Sequence, residues 1–414
     1  MNHPHLEPFE ICHIRPPTEN NSLTIRLTRN CGWNCCSFCP VYKGRAAFSR
    51  RTMADVQQDI ERIRRIDNML HQEGIIYASS QAEAFKKTDD LIRQQGKREI
   101  KNHSANSSDD WFSPWFKEEL DLRDSVFHVL SWRLSGGETC FLGDADSLIL
   151  SADFFTDVMT RIRKSFPSVK RFTVYGRTAS ASRKPLEELI AFREAGLHRI
   201  HFGLESGSDK VLRFMNKGEI SEKHIKGCRK AKEAGLSCSV YVMPGLGGTE
   251  WSEEHALETA RVINESSPDF IRLRTLEIFP ETPLQSAVLD GSFSEGSEEQ
   301  VVSEIRQLID AIKVDTVLYS DSASNLLMIN GRLPHDKEAI CRLIDRYLDL
   351  TPRGKLEFSI MARLTSFHGQ YGGLTQEILT ALQPFIIDEH LNVAVASDDE
   401  LDHLIRLIRS RLMP

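Results

Sequence analysis

Short apolar runs recur along this chain, and each is followed by a longer stretch whose apolar residues return every three to four positions. That rhythm predicts strands at 23–28 (LTIRLT), 139–143 (TCFLG), 169–175 (VKRFTVY), 199–204 (RIHFGL), 237–243 (SCSVYVM) and 269–278 (DFIRLRTLEI). Amphipathic helices are predicted between and after them, at 53–70, 152–165, 184–195, 221–234, 250–265 and 298–314. The period is plainest in two copies of Glu-Ala-Gly-Leu, at 194–197 and 233–236, where Gly196 and Gly235 stop a helix just before a β-rich run.

An unbroken βα order implies a parallel sheet. The fold class expected is α/β, a partial TIM-like (β/α)6 barrel, preferred over an open doubly wound sheet because no GxGxxG follows the first strand. Residues 75–130 are too long for one crossover and read as an inserted helical segment. It contains a polar loop at 101–110 and the aromatics Trp111, Phe112, Trp115 and Phe116. These either bury against the barrel as a helical hairpin or cover its mouth. Beyond 315 the alternation stops. Turn signals at 330–334 (NGRLP) and 351–355 (TPRGK) and an amphipathic helix at 398–412 suggest a mostly helical extension. The expected domains are an N-terminal arm (1–22), a barrel core (23–314) and the C-terminal extension (315–414).

Composition narrows the class without naming a chemistry. The 414 residues are 40 % hydrophobic and 27 % charged, with net charge −7, which excludes a disordered or fibrous chain and argues against wholesale nucleic-acid binding. The opening MNHPHLEPFE has no basic, then apolar, leader pattern, and no apolar run reaches 18 residues, so a cytoplasmic protein without a membrane span is expected. Disulfides are rare in that compartment, and clustered cysteines more often bind metal. Of nine cysteines, Cys12, Cys140, Cys228, Cys238 and Cys341 are far apart and read as buried small hydrophobes.

The other four fall in RNCGWNCCSFCPVYKG (29–44), directly after the first strand. A loop at a barrel strand's end lies on the catalytic face. Cys31, Cys36 and Cys39 have the spacing CxxxxCxxC, which lets one loop wrap three corners of a four-iron cluster and leaves one iron open to an outside ligand. Cys35 is then a free thiol, with the triad Cys31, Cys35, Cys39 as the alternative. Structural zinc competes poorly, since no second Cys/His pair with matching spacing follows.

This loop resembles that of the radical S-adenosylmethionine (radical SAM) superfamily, with Phe38 before the last cysteine, although the usual spacing is CxxxCxxC. The resemblance runs on through FLGDADSL (141–148), TVYGR (173–177), GLHRIHFGLESGSDKVLRFMNKG (196–218), YVMPGLGG (241–248), DFIRLRTLEIFPETPL (269–284) and SDSASNLLMINGRLPHDK (320–337). It implies an iron–sulfur oxidoreductase in which Cys31, Cys36 and Cys39 hold a 4Fe–4S cluster and S-adenosylmethionine chelates the open iron. Reductive cleavage would yield a 5′-deoxyadenosyl radical that abstracts hydrogen from a small-molecule or peptide substrate. An electron donor such as flavodoxin or ferredoxin is implied as partner. Two-cluster relatives are disfavoured because no second cysteine group exists, and cobalamin-dependent ones because only 30 residues precede Cys31. The alternative from another class is an iron–sulfur binding or electron-transfer protein that does not cleave S-adenosylmethionine.

The same resemblance suggests cofactor contacts at other strand ends. Gly143, Asp144 and Asp146 stand where a GGE-like motif meets the methionine amino group; the literal SGGE (135–138) precedes its strand and reads as the turn into it. Turn formation and helix capping are the plainer roles for the two aspartates. Arg177 matches a carboxylate ligand, or a surface ion pair, and Glu205 with Ser206 match ribose contacts, or a helix cap. Gly245, Gly247 and Gly248 permit close approach of an adenine, or form a tight turn. Arg272 and Arg274 share a strand face and need anionic partners, from a substrate carboxylate or phosphate or from protein carboxylates. Lys43, Arg45, Arg50 and Arg51 form a basic run that suits an acidic electron donor or a solvated face, and Asp321 and Asn325 are candidates to close the barrel mouth.

Overall fold

The apolar runs line up in one eight-stranded sheet. The computed structural model describes residues 5–12, 14–43, 47–94, 120–387 and 390–412. Its strands are β1 (Leu23–Arg26), β2 (Thr28–Arg29), β3 (Ser49–Arg50), β4 (Thr139–Gly143), β5 (Arg171–Gly176), β6 (Leu197–Glu205), β7 (Ser237–Val242), β8 (Phe270–Leu273), β9 (Thr316–Tyr319), β10 (Gly331–Leu333), β11 (Ile386–Ile387) and β12 (His390–Leu391). The sheet order is β1-β4-β5-β6-β7-β8-β9-β10, parallel from β1 to β9 and ending on antiparallel β10. β2 and β3 pair antiparallel across the base of the cysteine loop.

The helices are α1 (Met53–Gln72), α2 (Gln81–Gln94), α3 (Leu122–Leu134), α4 (Ala152–Ser165), α5 (Thr178–Arg183), α6 (Leu186–Ala195), α7 (Asp209–Phe214), α8 (Ser221–Glu233), α9 (Ser252–Ser266), α10 (Pro283–Leu289), α11 (Glu298–Ala311), α12 (Lys337–Leu348), α13 (Pro352–Tyr371), α14 (Gln376–Leu382) and α15 (Asp398–Ser410). Local chemistry sets several boundaries. Thr52 and Asp55 make a reciprocal capping box at the start of α1, and Ser397 with Glu400 makes another at α15. Gly196 adopts φ +111° at the end of α6, as the repeated Glu-Ala-Gly-Leu predicts.

Two expectations are revised. The β/α rhythm does not end at 315: β9 extends the parallel sheet by pairing with β8, and the NGRLP segment carries β10 rather than a turn alone. The extension is helical only from α12 onward, where α13, α14 and α15 close a second core of Ile360, Phe367, Ile378, Leu401, Leu404 and Ile408. Short helices α5, α7 and α10, which the periodicity did not announce, follow β5, β6 and β8. Within the insertion, α2 and α3 take the place of a single crossover; the polar stretch 101–110 and the aromatics Trp111 to Phe116 lie outside the described residues.

Alternate strand residues sort the sheet into two faces. Leu142, Val174, Ile200, Val240, Ile271 and Leu318 are fully buried in the main core. The opposite face carries Phe141, Thr173, Tyr175, His201, Ser239, Tyr241 and Arg272. Tyr175 meets Phe141, His201 and Tyr241 ring to ring at 5.2–6.3 Å. The barrel interior is therefore aromatic and polar, with its strand C-termini opening at the cysteine loop.

Candidate active site at the strand ends

The cysteine loop leaves β1 through two left-handed asparagines, Asn30 (φ +65°) and Asn34 (φ +43°), a conformation that asparagine tolerates better than most residues. Between them Trp33 folds over the turn that follows α7, with its indole N–H donating to the Asn216 carbonyl at 2.8 Å. Ser37 N–H donates to Met215 O at 2.9 Å, and Ser37 O accepts from Leu284 N–H at 3.0 Å. Gly218 must lack a side chain here, because a Cβ would collide with the Trp33 ring.

This cradle gathers three thiols. Cys36 and Cys39 pack against one apolar pocket with Phe38, Met215, Leu276 and Leu284, while Cys31 and Cys39 pack against a second with Val41, Tyr42 and Phe279. Cys35 is exposed. Burial pushes the Cys36 thiol up to about 11 and raises Cys39 as well, while the nearby Lys217 ammonium pulls both down. Among the described residues no three His, Cys, Asp or Glu side chains close on a single ion position. A cubane asks something different, one thiolate at each of three corners, and three gathered thiols fit that donor set.

Asp144 ties the loop to the barrel. Its carboxylate, with no exposed surface, accepts from Arg26 Nη2 at 2.9 Å and Nε at 3.2 Å, from Asn30 N–H at 3.2 Å and from the Tyr42 hydroxyl at 3.1 Å. Asn30 immediately precedes Cys31, and Tyr42 lies three residues past Cys39. One carboxylate thus holds both ends of the loop. The adjoining Gly143 accepts from Leu27 N–H, and a Cβ there would collide with the Cys12 sulfur of the N-terminal arm.

Most other residues proposed as cofactor contacts make bonds within the protein. Asp146 accepts from Arg177 N–H at 3.1 Å and from the Ser180 hydroxyl at 2.6 Å, so it is tied to the start of α5. Burial pushes its carboxyl up to about 6. The Arg177 guanidinium bonds Glu219 at 3.0 Å and the Lys217 carbonyl at 2.8 Å, and lies 5.0 Å over Trp33. Ser206 is fully buried, engaged by His255 Nδ1 at 2.8 Å and Ser208 N–H at 3.0 Å. His255 in turn bonds the Met243 carbonyl, and Glu304 accepts from Gly245 N–H at 2.8 Å, which fastens the loop carrying Gly245 and Gly247 to that of β6. Glu205 differs. Its backbone is left-handed (φ +63°), and its carboxylate meets Lys217 at 3.1 Å beside the cysteines.

Two sets of residues escaped the reading of the sequence. Lys217 and Glu219 belong to the turn after α7; the only trace was a charged pair around Gly218 between two helices. The second set is the arm, whose Glu10 pairs with Arg29 at 2.5 Å and Arg51 at 3.4 Å and whose Ile14 packs on the Cys31–Cys39 pocket. Arg272, as one of its two readings held, is paired with a protein carboxylate, Asp321, at 2.5 Å. Asn325 bonds the Thr275 and Leu273 backbone, and the run Lys43 to Arg51 is divided: Arg51 is buried on Asp59 at 2.6 Å, while Arg45 lies outside the described residues.

Two outcomes follow from these bonds. Asp144→Asn takes from Arg26 its nearer counter-charge and leaves it only Glu10 at 3.6 Å, a loss of about 3 kcal/mol; a lower urea midpoint and iron content well below wild type after anaerobic reconstitution are expected, with Tyr42→Phe milder on both measures. For Asp146, the folded carboxyl titrates near 6 against an ordinary 3.8. The folded state therefore holds the extra proton between about pH 4 and 6, and this group's contribution falls by about 3 kcal/mol as pH rises through that window. Urea midpoints across that range should show a shallower fall in Asp146→Asn than in wild type.

Residues 115–260 match the family model for the Radical SAM superfamily. A tRNA uridine(34) acetyltransferase of Methanocaldococcus jannaschii is 22 % identical over 120 residues, 29 % of this chain and 22 % of that protein. A tRNA-2-methylthio-N(6)-dimethylallyladenosine synthase of Bifidobacterium adolescentis is 38 % identical over 72 residues, 17 % of this chain and 15 % of that one. The matched stretch thus spans about a fifth of these relatives or less. Solved structures aligned with the chain include methylornithine synthase (14 % identity, 82 % of this chain and 86 % of the other, TM-score 0.39) and coproporphyrinogen III oxidase of Escherichia coli (13 %, 94 % and 90 %, TM-score 0.36). Residues 115–260 are thus similar to the domain of the radical SAM superfamily, whose members work with a 4Fe–4S cluster and S-adenosylmethionine.

Proposed function

We propose that this enzyme cleaves S-adenosylmethionine reductively at a 4Fe–4S cluster held by Cys31, Cys36 and Cys39, with Cys35 outside the ligand set. The observation that carries the proposal is the gathering of those three thiols, with Cys35 turned to solvent, beside the buried Lys217–Glu205 pair at the mouth of a polar barrel. When bound, the cluster and its cofactor supply a 5′-deoxyadenosyl radical that takes a hydrogen atom from the substrate.

The chain's own residues position and insulate. Lys217 presents an ammonium where three thiolates are to be formed, and offers a counter-charge to a carboxylate arriving at the same place. Glu205, held in a left-handed turn, presents the complementary carboxylate for an amino or hydroxyl group. Backbone at Gly245 and Gly247, fixed by Glu304 and packed against His255, would serve as the adenine contact. Arg177 acts through Trp33 as a positioning residue for the loop. The exposed edge at Gly32, Asn34 and Cys35 is the face at which an electron donor reaches the cluster.

The test is direct. Anaerobically reconstituted full-length protein, given dithionite and S-adenosylmethionine, should release 5′-deoxyadenosine. Cys31→Ala, Cys36→Ala and Cys39→Ala should each abolish both the visible cluster absorbance and the release, while Cys35→Ala retains both. An intact cluster with no 5′-deoxyadenosine would leave an electron-transfer protein instead.

A further inference from the structure

The N-terminal arm does not lie on the surface. Leu6, Phe9 and Cys12 are buried. Ile14 packs on the Cys31–Cys39 pocket, Thr18 reaches Arg272 at 3.3 Å, and Glu19 reaches Arg171 at 2.9 Å. Ser22 then bonds Thr139 at the start of β4. The arm therefore enters at the cysteine loop, passes down the barrel interior and leaves at its base.

Counting charges along that path isolates one side chain. Arg26 has Asp144, Arg171 has Glu19 and Arg272 has Asp321. Arg199 stacks on Phe270 at 3.8 Å and bonds Ser237, and Arg274 has an interaction of its own. Arg15 is different: it has no ion pair among the described residues, and no carboxylate acts on it electrostatically. The titratable groups it faces are Cys12 on the arm, Tyr175 on β5 and His128 on α3. All three are neutral near pH 7, since burial pushes the Cys12 thiol up to about 12, raises the Tyr175 hydroxyl and holds His128 down at about 3. Arg15 is a half-buried guanidinium, permanently charged and without a counter-ion.

The row of the barrel that begins at Tyr175 also has unused polar groups. Tyr175 is in register with His201, and His201 with Ser239. Both imidazole nitrogens of His201 and the Ser239 hydroxyl are buried and make no hydrogen bond among the described residues, and the Glu19 carboxylate, already engaged by Arg171, stands 3.9 Å from His201 Nε2. A half-buried cation without a counter-ion, followed by buried polar groups that make no hydrogen bond, is the pattern of a site for a polar anion.

We propose that Arg15, brought into the barrel by the N-terminal arm, binds an oxyanion of the substrate, a carboxylate or phosphate group, while the Tyr175–His201–Ser239 row receives the substrate's polar body. This deepens the radical SAM reading and rests on it for the word substrate. The neighbouring Ile14 lies on the cysteine pocket, so an anion on Arg15 holds the rest of its molecule close to where a radical is generated.

Anion binding can be read without turnover. Calorimetric titration of the reconstituted full chain, at constant ionic strength, uses sodium phosphate and sodium acetate as probes in separate arms, without S-adenosylmethionine or reductant. Wild type should bind at least one of them; phosphate alone indicates a phosphate ester, and acetate indicates a carboxylic acid. Arg15→Gln should weaken binding about tenfold or more, and Arg15→Lys should recover part of it. Binding of neither anion by wild type, or equal binding by wild type and Arg15→Gln, overturns the proposal. So does a variant that binds the probes normally but has lost affinity for S-adenosylmethionine, which would assign the guanidinium to the cofactor. Absence of 5′-deoxyadenosine release in the separate cleavage assay would instead overturn the radical reading and leave the anion site standing.

Discussion

The Asp144–Arg26 pair is the constraint on which the reactive end of this barrel depends. Removing a carboxylate and a guanidinium from water is costly, and the arrangement is stable only if their remaining hydrogen-bonding capacity is used. It is used here by Asn30 and Tyr42, which are the flanks of the cysteine loop. The desolvated charge therefore enforces a loop shape: any conformation that moves Asn30 or Tyr42 away leaves buried polar atoms unsatisfied. A loop rich in small and polar residues, with two asparagines in left-handed turns, has little other reason to hold one geometry.

The second half of the cradle handles a problem that the first creates. Burial drives the Cys36 and Cys39 thiols toward their protonated state, whereas binding iron would require thiolates. Lys217 is the cation placed to offset that accumulation of negative charge. It is held there by Glu205, and its turn is fastened by Arg177 and Glu219 through the Lys217 carbonyl. In a low-dielectric environment, a fixed ammonium beside the Cys36 and Cys39 thiols has a far larger effect on them than one in water. The residues around the loop thus divide into those that fix its shape and those that fix its charge.

Much of the scaffold was legible because parallel strands covered on one face by helices read as dense apolar runs. β4 falls on the expected 139–143, and Gly196 stops its helix as the repeat implies. The strand expected at 269–278 shrinks to Phe270–Leu273 because Leu276 and Ile278 are apolar for another reason: they pack under the cysteine loop. β10, of three residues, is too short for a period to register, and the four of β9 sit between Asp315 and Ser320 without a longer apolar run. At the site, the thiol spacing was visible because its members are neighbours in sequence. The partners of Asp144 were not, since Arg26 lies 118 positions away and only the pairing of β1 with β4 brings them together. Arg177 and Ser206 were read correctly as polar groups at strand ends, but sequence cannot tell whether such a group faces the barrel mouth or a neighbouring loop.

The arm was the least legible part, because an irregular segment has no period, yet it shapes the interior more than any helix does. The family match covers residues 115–260, which includes β4 to β7 and omits the cysteine loop and the arm. The shared portion is thus the wall of the barrel, whereas Cys12, Ile14, Arg15, Thr18 and Glu19 come from outside it and are pressed against that wall. A strand residue cannot be exchanged freely, since each one also has a pairing register and a place in the core to satisfy. An arm is limited only by the side chains it meets. Changing it alters the charge and volume of the lumen while leaving the hydrogen-bonded sheet intact, so the arm is the place where this scaffold can acquire a substrate preference at least cost to its fold.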